Sequence, residues 1–159
     1  MIPHFTEEDI RHKVSMVQAI ALMKEAFVQL SNHMAVIPVR TVIPTFKQDG
    51  RVLFMPSYSS AYNLFGLKMV SVFNKNTDVG LPVIQGNMLI MDGKNGSPLA
   101  TIDAEYLTAL RTGAASGLAT DLLSRRDSEV LAVFGNGAQA ETQVEGVLAV
   151  RSIKKVIVF

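Results

Sequence analysis

The chain has 159 residues, enough for one domain with a sizeable core, and a net charge of +1 with 18% charged residues. So small a charge gives no electrostatic reason to expect nucleic-acid binding, and no apolar run reaches the roughly 20 residues of a membrane span. The absence of cysteine excludes disulfides, thiolate metal sites and cysteine nucleophiles. With an N-terminus that lacks signal-peptide character, these features predict a cytoplasmic protein without a nucleic-acid or membrane partner.

Two helices are predicted in the N-terminal part of the chain. Thr6 with Asp9 has the spacing of a capping box, and Ser15 with Gln18 repeats it, so each pair predicts the start of a helix. In the second helix apolar residues recur at spacings of four and three, which predicts one apolar face. The residues of this face are Met16, Ile20, Met23, Phe27 and Leu30. The three histidines lack the close, same-face spacing of metal ligands, so no metal site is predicted.

From Val36 onwards the pattern becomes that of strands. Asp49-Gly50 is a strong hairpin signal between two of them. Most connections are too short to contain a crossover helix, so the strands are predicted to form an antiparallel-rich sheet. The predicted strands are Arg40–Thr45, Val52–Pro56, Leu67–Phe73, Val83–Met91 and Leu99–Ile102.

A helix with many small residues is predicted to follow the sheet. Asp103 can cap this helix, and a run of small residues from Gly113 to Gly117 follows Arg111. Small side chains let a helix approach a ligand or a backbone closely, and tight contact between two helices is the simpler alternative. The polar loop Arg125–Ser128 comes next, and we place a domain boundary after residue 127.

The strongest motif in the chain follows this loop. Val130–Phe134 is a continuous apolar run, typical of a strand buried on both faces of a parallel sheet. Gly135, Gly137 and Ala140 then occupy the small positions of G-x-G-x-x-A. The first glycine permits a tight turn, the second lets the backbone approach a pyrophosphate, and the alanine lets a helix lie close to the strand. The N–H groups and the dipole of the helix start would face the phosphates.

A second strand, Ile153–Phe159, completes a β-α-β unit. The predicted fold class is therefore α/β: an antiparallel-rich α+β domain at residues 1–127, followed by the first β-α-β of a Rossmann-type dinucleotide-binding domain at residues 128–159. A tight turn in another α/β protein is the alternative interpretation of the glycines. The acidic residue that would bind the adenosine ribose is expected roughly 20 residues past the glycines, just after Phe159. The unit is thus expected to be incomplete, and the choice between NAD and NADP stays open.

Three basic residues stand where apolar side chains are expected: Arg40 at a strand start, Lys68 within a strand, and Arg111 before the small-residue run. Each could simply extend its charged end to solvent. As a set near a nucleotide site they suggest a role in binding and chemistry. Arginine suits bidentate capture of a carboxylate, and a desolvated lysine can act as an acid or base near neutral pH.

Several stretches of the chain, in this order and spacing, resemble the N-terminal half of the ornithine cyclodeaminase and mu-crystallin family. They are Arg40–Thr41, Phe54–Tyr58, Gly66–Phe73, Gly80–Pro82, Leu107–Ser116 and Gly135–Ala140. The resemblance runs through essentially the whole chain. It implies a substrate-binding and dimerisation domain at residues 1–127 and the start of the NAD(P)-binding domain at residues 128–159.

The resemblance also implies roles for individual residues. Arg40 and Lys68 hold an amino-acid or imine substrate, with the catalytic Lys68 close to the reacting carbon, and Arg111 serves both the substrate carboxylate and the cofactor. The cofactor, NAD or NADP, is bound by Arg111 and by further residues. These are Thr112, Gly135, Gly137, Ala138 and Gln139.

The family's shared chemistry is hydride transfer between the α-carbon of an amino acid, or a ketimine, and nicotinamide. The resemblance therefore predicts an NAD(P)-dependent amino-acid oxidoreductase or cyclodeaminase. A chain that ends at Phe159 is expected to be an N-terminal part without activity of its own. The alternative is a non-catalytic, mu-crystallin-like module for small-molecule binding or oligomerisation. In both cases we expect a homodimer or higher homo-oligomer, built mainly through the N-terminal sheet.

Overall fold

The computed structural model describes all 159 residues, Met1–Phe159. It contains nine strands, four α-helices and the 3-10 helix Asn74–Val79. The strands are β1 His4–Phe5, β2 Ala35–Val36, β3 Thr41–Pro44, β4 Gly50–Ser59, β5 Leu64–Phe73, β6 Ile84–Asp92, β7 Pro98–Asp103, β8 Val130–Val133 and β9 Lys155–Val158. The helices are α1 Glu7–Lys13, α2 Met16–Ser31, α3 Ala104–Leu123 and α4 Ala140–Leu148. None of these helices combines the length and the apolar composition that crossing a bilayer requires.

The chain forms two compact units. The first comprises Met1–Ile10 and Gln29–Glu105, and the second comprises Arg11–Val28 and Tyr106–Phe159. Helix α3 belongs mostly to the second unit, although it precedes the predicted boundary at residue 127. That boundary marks where the nucleotide-binding segment begins along the sequence, and it stays a prediction.

The first unit is built on a seven-stranded sheet. The strand order is β1-β7-β6-β5-β4-β2, and β3 also pairs with β4. Every pair is antiparallel except β1 with β7. The antiparallel-rich sheet predicted from the short connections is therefore confirmed, and the Asp49-Gly50 hairpin joins β3 to β4. Strands β4 and β5 pair along ten residues each, which makes theirs the longest strand pairing in the sheet.

Two short strands were not predicted. β1 runs parallel to β7, with His4 opposite Thr101, and β2 pairs with β4 through Ala35 and Val36. Strands of two residues are too short to produce an alternating pattern, so their pairing is decided by the neighbouring strand. The imidazole Nε2 of His4 lies 3.3 Å from a carboxylate oxygen of Asp103, which holds β1 against β7.

Both predicted capping boxes are present. The Thr6 backbone N–H donates to Asp9 Oδ2 at 2.9 Å, and the Asp9 N–H donates back to Thr6 Oγ1. Ser15 and Gln18 make the same exchange. The apolar face predicted for α2 is less covered than expected, since Phe27 is 47% exposed.

In the second unit, α3 and α4 cross at glycines. A Cβ atom placed on Gly113 would overlap the backbone carbonyl of Thr142, and one on Gly146 would overlap the carbonyl of Gly113. Gly117 meets the backbone of Gly146 in the same way. The small-residue run of α3 is thus used for tight helix–helix contact, the simpler of the two uses that its composition suggested.

Strands β8 and β9 form a separate two-stranded parallel sheet, with Val130 opposite Lys155 and Val133 opposite Val158. The expectation that β8 is buried on both faces is wrong for this chain. Val130 of β8 is 58% exposed, and Val158 of the neighbouring β9 is 56% exposed. A sheet of two strands offers too few neighbouring side chains to cover both of its faces.

Candidate nucleotide-binding turn and substrate-binding residues

The turn between β8 and α4 is fixed by glycine and by the ends of both strands. Gly135 has φ of +98°, a conformation that side chains other than hydrogen adopt only with strain. Its N–H donates to the carbonyl of Phe159 at 2.9 Å, and the Phe159 N–H donates to the carbonyl of Val133 at 2.9 Å. These two bonds continue the parallel ladder past the strand ends and hold the turn at the carboxyl edge of the sheet.

The start of α4 presents backbone N–H groups that have no acceptor in the chain. Two bonds shape this first turn: Ala140 donates to the carbonyl of Gly137 at 2.9 Å, and Gln143 donates to the carbonyl of Gln139 at 3.1 Å. The N–H groups of Gly137, Ala138 and Gln139 are not used in this way. All three residues are exposed. Unpaired N–H groups at a helix start, with the positive end of the helix dipole, bind phosphate and other anions.

A cavity of about 450 Å³ lies beside this turn. Its walls are β8, the turn residues Gly135 and Gly137, and Gln139, Gln143 and Val147 at successive spacings of four. A volume of this size is within the usual range for small-ligand sites. Gln143 and Val147 were not among the predicted site residues, although their spacing from Gln139 places all three on one side of α4.

Gly137 leaves open space at the mouth of the cavity. No atom lies within 4 Å of the position that a Cβ would take, and its φ is outside the left-handed region. Neither packing nor backbone strain therefore requires glycine here. A close approach by a ligand remains as a physical reason for it.

Lys68 lies at the centre of the seven-stranded sheet. It pairs with Met55 of β4 on one side and Met88 of β6 on the other. Residues opposite each other point to the same face of a sheet, so the lysine stem is flanked by two thioether side chains. The residue is half-buried.

Arg40 lies near Lys68 in the sheet register. It is exposed and comes directly before β3, in which Thr41 pairs with Phe54. Met55, the next residue of β4, pairs with Lys68. One strand therefore separates Arg40 from Lys68, which corresponds to roughly 10 Å between their backbones at two strand spacings.

Arg111 and Thr112 lie on α3 in the second unit. Arg111 is exposed, and the hydroxyl of Thr112 donates to the carbonyl of Thr108 at 2.6 Å within the helix. The predicted site residues thus form two groups within their units: Arg40 with Lys68 in the first, and the α3 pair and the glycine turn in the second.

A parallel β-α-β unit with a glycine turn and unpaired N–H groups is the arrangement with which Rossmann-type α/β folds hold dinucleotides. The chain belongs to the ornithine cyclodeaminase/mu-crystallin family, because the model of that family matches residues 4–159. The family resemblance that was inferred from Arg40–Ala140 is confirmed.

Several reductases and dehydrogenases are similar to this chain in sequence and in fold. A Δ1-pyrroline-2-carboxylate reductase of Bacillus cereus is 37% identical over 149 residues, which are 94% of this chain and 46% of the relative. The structure of the Thermococcus litoralis Δ1-pyrroline-2-carboxylate reductase in complex with NADH and L-proline matches with a TM-score of 0.92 and 39% identity, over 99% of this chain and 49% of that one. An archaeal alanine dehydrogenase dimer with bound NAD matches with a TM-score of 0.90 and 34% identity, over 99% and 48% of the two chains. The chain spans about half the length of these relatives.

Proposed function

We propose that this chain supplies substrate-binding and cofactor-binding residues of an NAD(P)-dependent amino-acid oxidoreductase. The reaction is hydride transfer between nicotinamide and the α-carbon of an amino acid or a ketimine. The observation that carries the proposal is the glycine turn before α4, with its unpaired N–H groups beside a cavity. The activities of the reductases and the alanine dehydrogenase that resemble this chain support it.

The cofactor is NAD or NADP. Its phosphates are held by the N–H groups of Gly137, Ala138 and Gln139, with the tight turn at Gly135 bringing the backbone close. Arg111 and Thr112 complete the cofactor site from α3. When it is bound, the nicotinamide accepts or donates the hydride.

The substrate is a small amino acid or its imine. The guanidinium groups of Arg40 and Arg111 bind its carboxylate. This binding orients the bond between the α-carbon and the transferred hydrogen towards the nicotinamide. Lys68 stands close to the reacting carbon and exchanges a proton with the substrate nitrogen or with water. The side chains of Met55 and Met88 flank the stem of this lysine in the sheet.

The alternative is a non-catalytic, mu-crystallin-like module that binds a small molecule or forms an oligomer. Cofactor binding without turnover fits both proposals, whereas turnover of an amino acid or a ketimine fits only the oxidoreductase.

A titration with NADH and with NADPH tests the proposed site. Binding is followed by nicotinamide fluorescence, for the unchanged chain and for Arg111→Ala. We expect saturable binding in the micromolar range that Arg111→Ala abolishes, because the variant lacks a cation that faces the cofactor. Arg126→Ala is the matched control, since it removes the same charge from an exposed loop residue. A chain that binds neither nucleotide contradicts the proposal.

A further inference from the structure

The turn that binds the cofactor in the proposed function contains a chemically reactive sequence. The chain has two Asn-Gly pairs, Asn95-Gly96 in the β6–β7 turn and Asn136-Gly137 in the turn before α4. In an Asn-Gly pair the backbone nitrogen of the glycine can attack the asparagine side chain, because glycine has no side chain to obstruct the approach. Both glycines have open space where a Cβ would lie, so sterics do not distinguish the two pairs.

Hydrogen bonds do distinguish them. The Gly96 N–H donates to the carbonyl of Asp92 at 2.9 Å, and Asn95 Oδ1 accepts from the Ser97 N–H at 2.9 Å. Both reacting groups of this pair are therefore held in place. The Gly137 N–H has no acceptor in the chain, and the exposed side chain of Asn136 makes no hydrogen bond within it. Neither the attacking nitrogen nor the amide that it attacks is held by a hydrogen bond.

We propose that Asn136 is a site of spontaneous deamidation, and that this reaction switches off anion binding at the turn. The Gly137 nitrogen forms a bond to Cγ of Asn136 and loses its proton, while the bond from Cγ to the side-chain nitrogen breaks and ammonia leaves. Water then opens the resulting succinimide at either carbonyl. The products are aspartate and isoaspartate, and no oxidant or reductant takes part.

The consequence for binding rests on the proposed function. Deamidation places a carboxylate next to the N–H groups of Gly137 and Ala138, where the phosphates of the cofactor would lie. The new carboxylate and the phosphates of the cofactor are both negative and repel each other. The isoaspartate product also lengthens the backbone of the turn. We expect the affinity for NADH to fall by about tenfold or more.

The site of reaction is tested by mass spectrometry of peptides after incubation at mildly alkaline pH. In the folded chain we expect Asn136 to react about tenfold faster than Asn95, because Asn95 must first break two hydrogen bonds. In urea both pairs should react at similar rates, since the two local sequences are then equally exposed. Equal rates in the folded chain, or faster reaction at Asn95, would overturn the proposal.

The effect on binding is tested with Asn136→Asp beside Asn136→Gln and Asn95→Asp. The Asn136→Asp chain should bind NADH more weakly, whereas the neutral Asn136→Gln chain and the remote Asn95→Asp chain should bind as the unchanged chain does. Equal binding by Asn136→Asp and Asn136→Gln refutes the switch while leaving the proposed function intact. If the unchanged chain binds no nucleotide, the proposed function and the switch both fail, whereas the peptide measurement still decides whether Asn136 reacts selectively.

Discussion

At the scale of single residues, the side chain of Arg151 connects the segment after α4 to the end of α3. Its side chain is 5% exposed, and its guanidinium donates at 2.9–3.1 Å to acceptors at the end of α3 and in the loop that follows. These acceptors are the carbonyls of Thr120, Asp121, Ser124 and Arg125, the Ser124 hydroxyl and the Asp121 carboxylate. The last carbonyls of a helix have no hydrogen-bond donor within the helix. Arg151 donates to these carbonyls at the end of α3.

Replacing Arg151 by alanine should lower the free energy of unfolding by about 2–4 kcal/mol, because the part-buried acceptors at the end of α3 lose their donor and the buried side chain is removed. Urea denaturation measures the change. Arg125→Ala is the control, since its side chain is 87% exposed and its loss should cost no more than about 0.5 kcal/mol. Similar stabilities of the two variants would show that Arg151 does not stabilise the end of α3.

At the scale of elements, the crossing of α3 and α4 depends on backbone contact at Gly113, Gly117 and Gly146. The hydroxyl of Thr142 also crosses between the helices and donates to the carbonyl of Ala109 at 2.9 Å. Because the neighbouring atoms at Gly113 are mainly backbone, they cannot rotate away from an added methyl group. The same crossing positions α4, and with it the N–H groups of the glycine turn.

Gly113→Ala should therefore destabilise the chain by about 1–3 kcal/mol, although alanine is the better helix former. Gly137→Ala is the matched change at a glycine with open space, and it should leave the unfolding free energy almost unchanged while weakening NADH binding. Denaturation and the fluorescence titration read the two effects separately. Loss of stability in Gly137→Ala, or none in Gly113→Ala, would contradict these assignments.

At the scale of the whole molecule, β3 and the residues beyond its end leave apolar side chains uncovered. All four residues of β3 are exposed, and Phe46 beyond its end is fully exposed. Monomeric proteins seldom leave such a stretch uncovered. The archaeal alanine dehydrogenase to which the chain is similar forms a dimer. We propose that copies of this chain associate through the sheet of the first unit.

Light scattering after size-exclusion chromatography tests this proposal. The unchanged chain should elute as a dimer or a larger oligomer, and Val42→Glu with Phe46→Glu should shift it towards the monomer mass by burying two charges in the interface. Leu123→Glu is the control, because this residue is also highly exposed but lies on α3 of the second unit. A monodisperse monomer in the unchanged chain would contradict the proposal.

The sequence by itself determined the features that depend on local spacing. The capping boxes, the hairpin at Asp49-Gly50, the antiparallel strands and the glycine turn after β8 each follow from residues close together in the chain, and the structure contains all of them. The roles of Arg40, Lys68 and Arg111 come from the family resemblance and stay predictions.

The tertiary structure alone decided the features that need distant partners. Whether the small residues of α3 meet a ligand or a helix depends on where α4 lies, and the exposure of β8 depends on how many strands and helices surround it. The burial of Arg151 depends on the end of α3, about 30 residues earlier in the chain. Local spacing fixes hydrogen bonds over a few residues, whereas these contacts join segments whose separation along the chain carries no periodic signal.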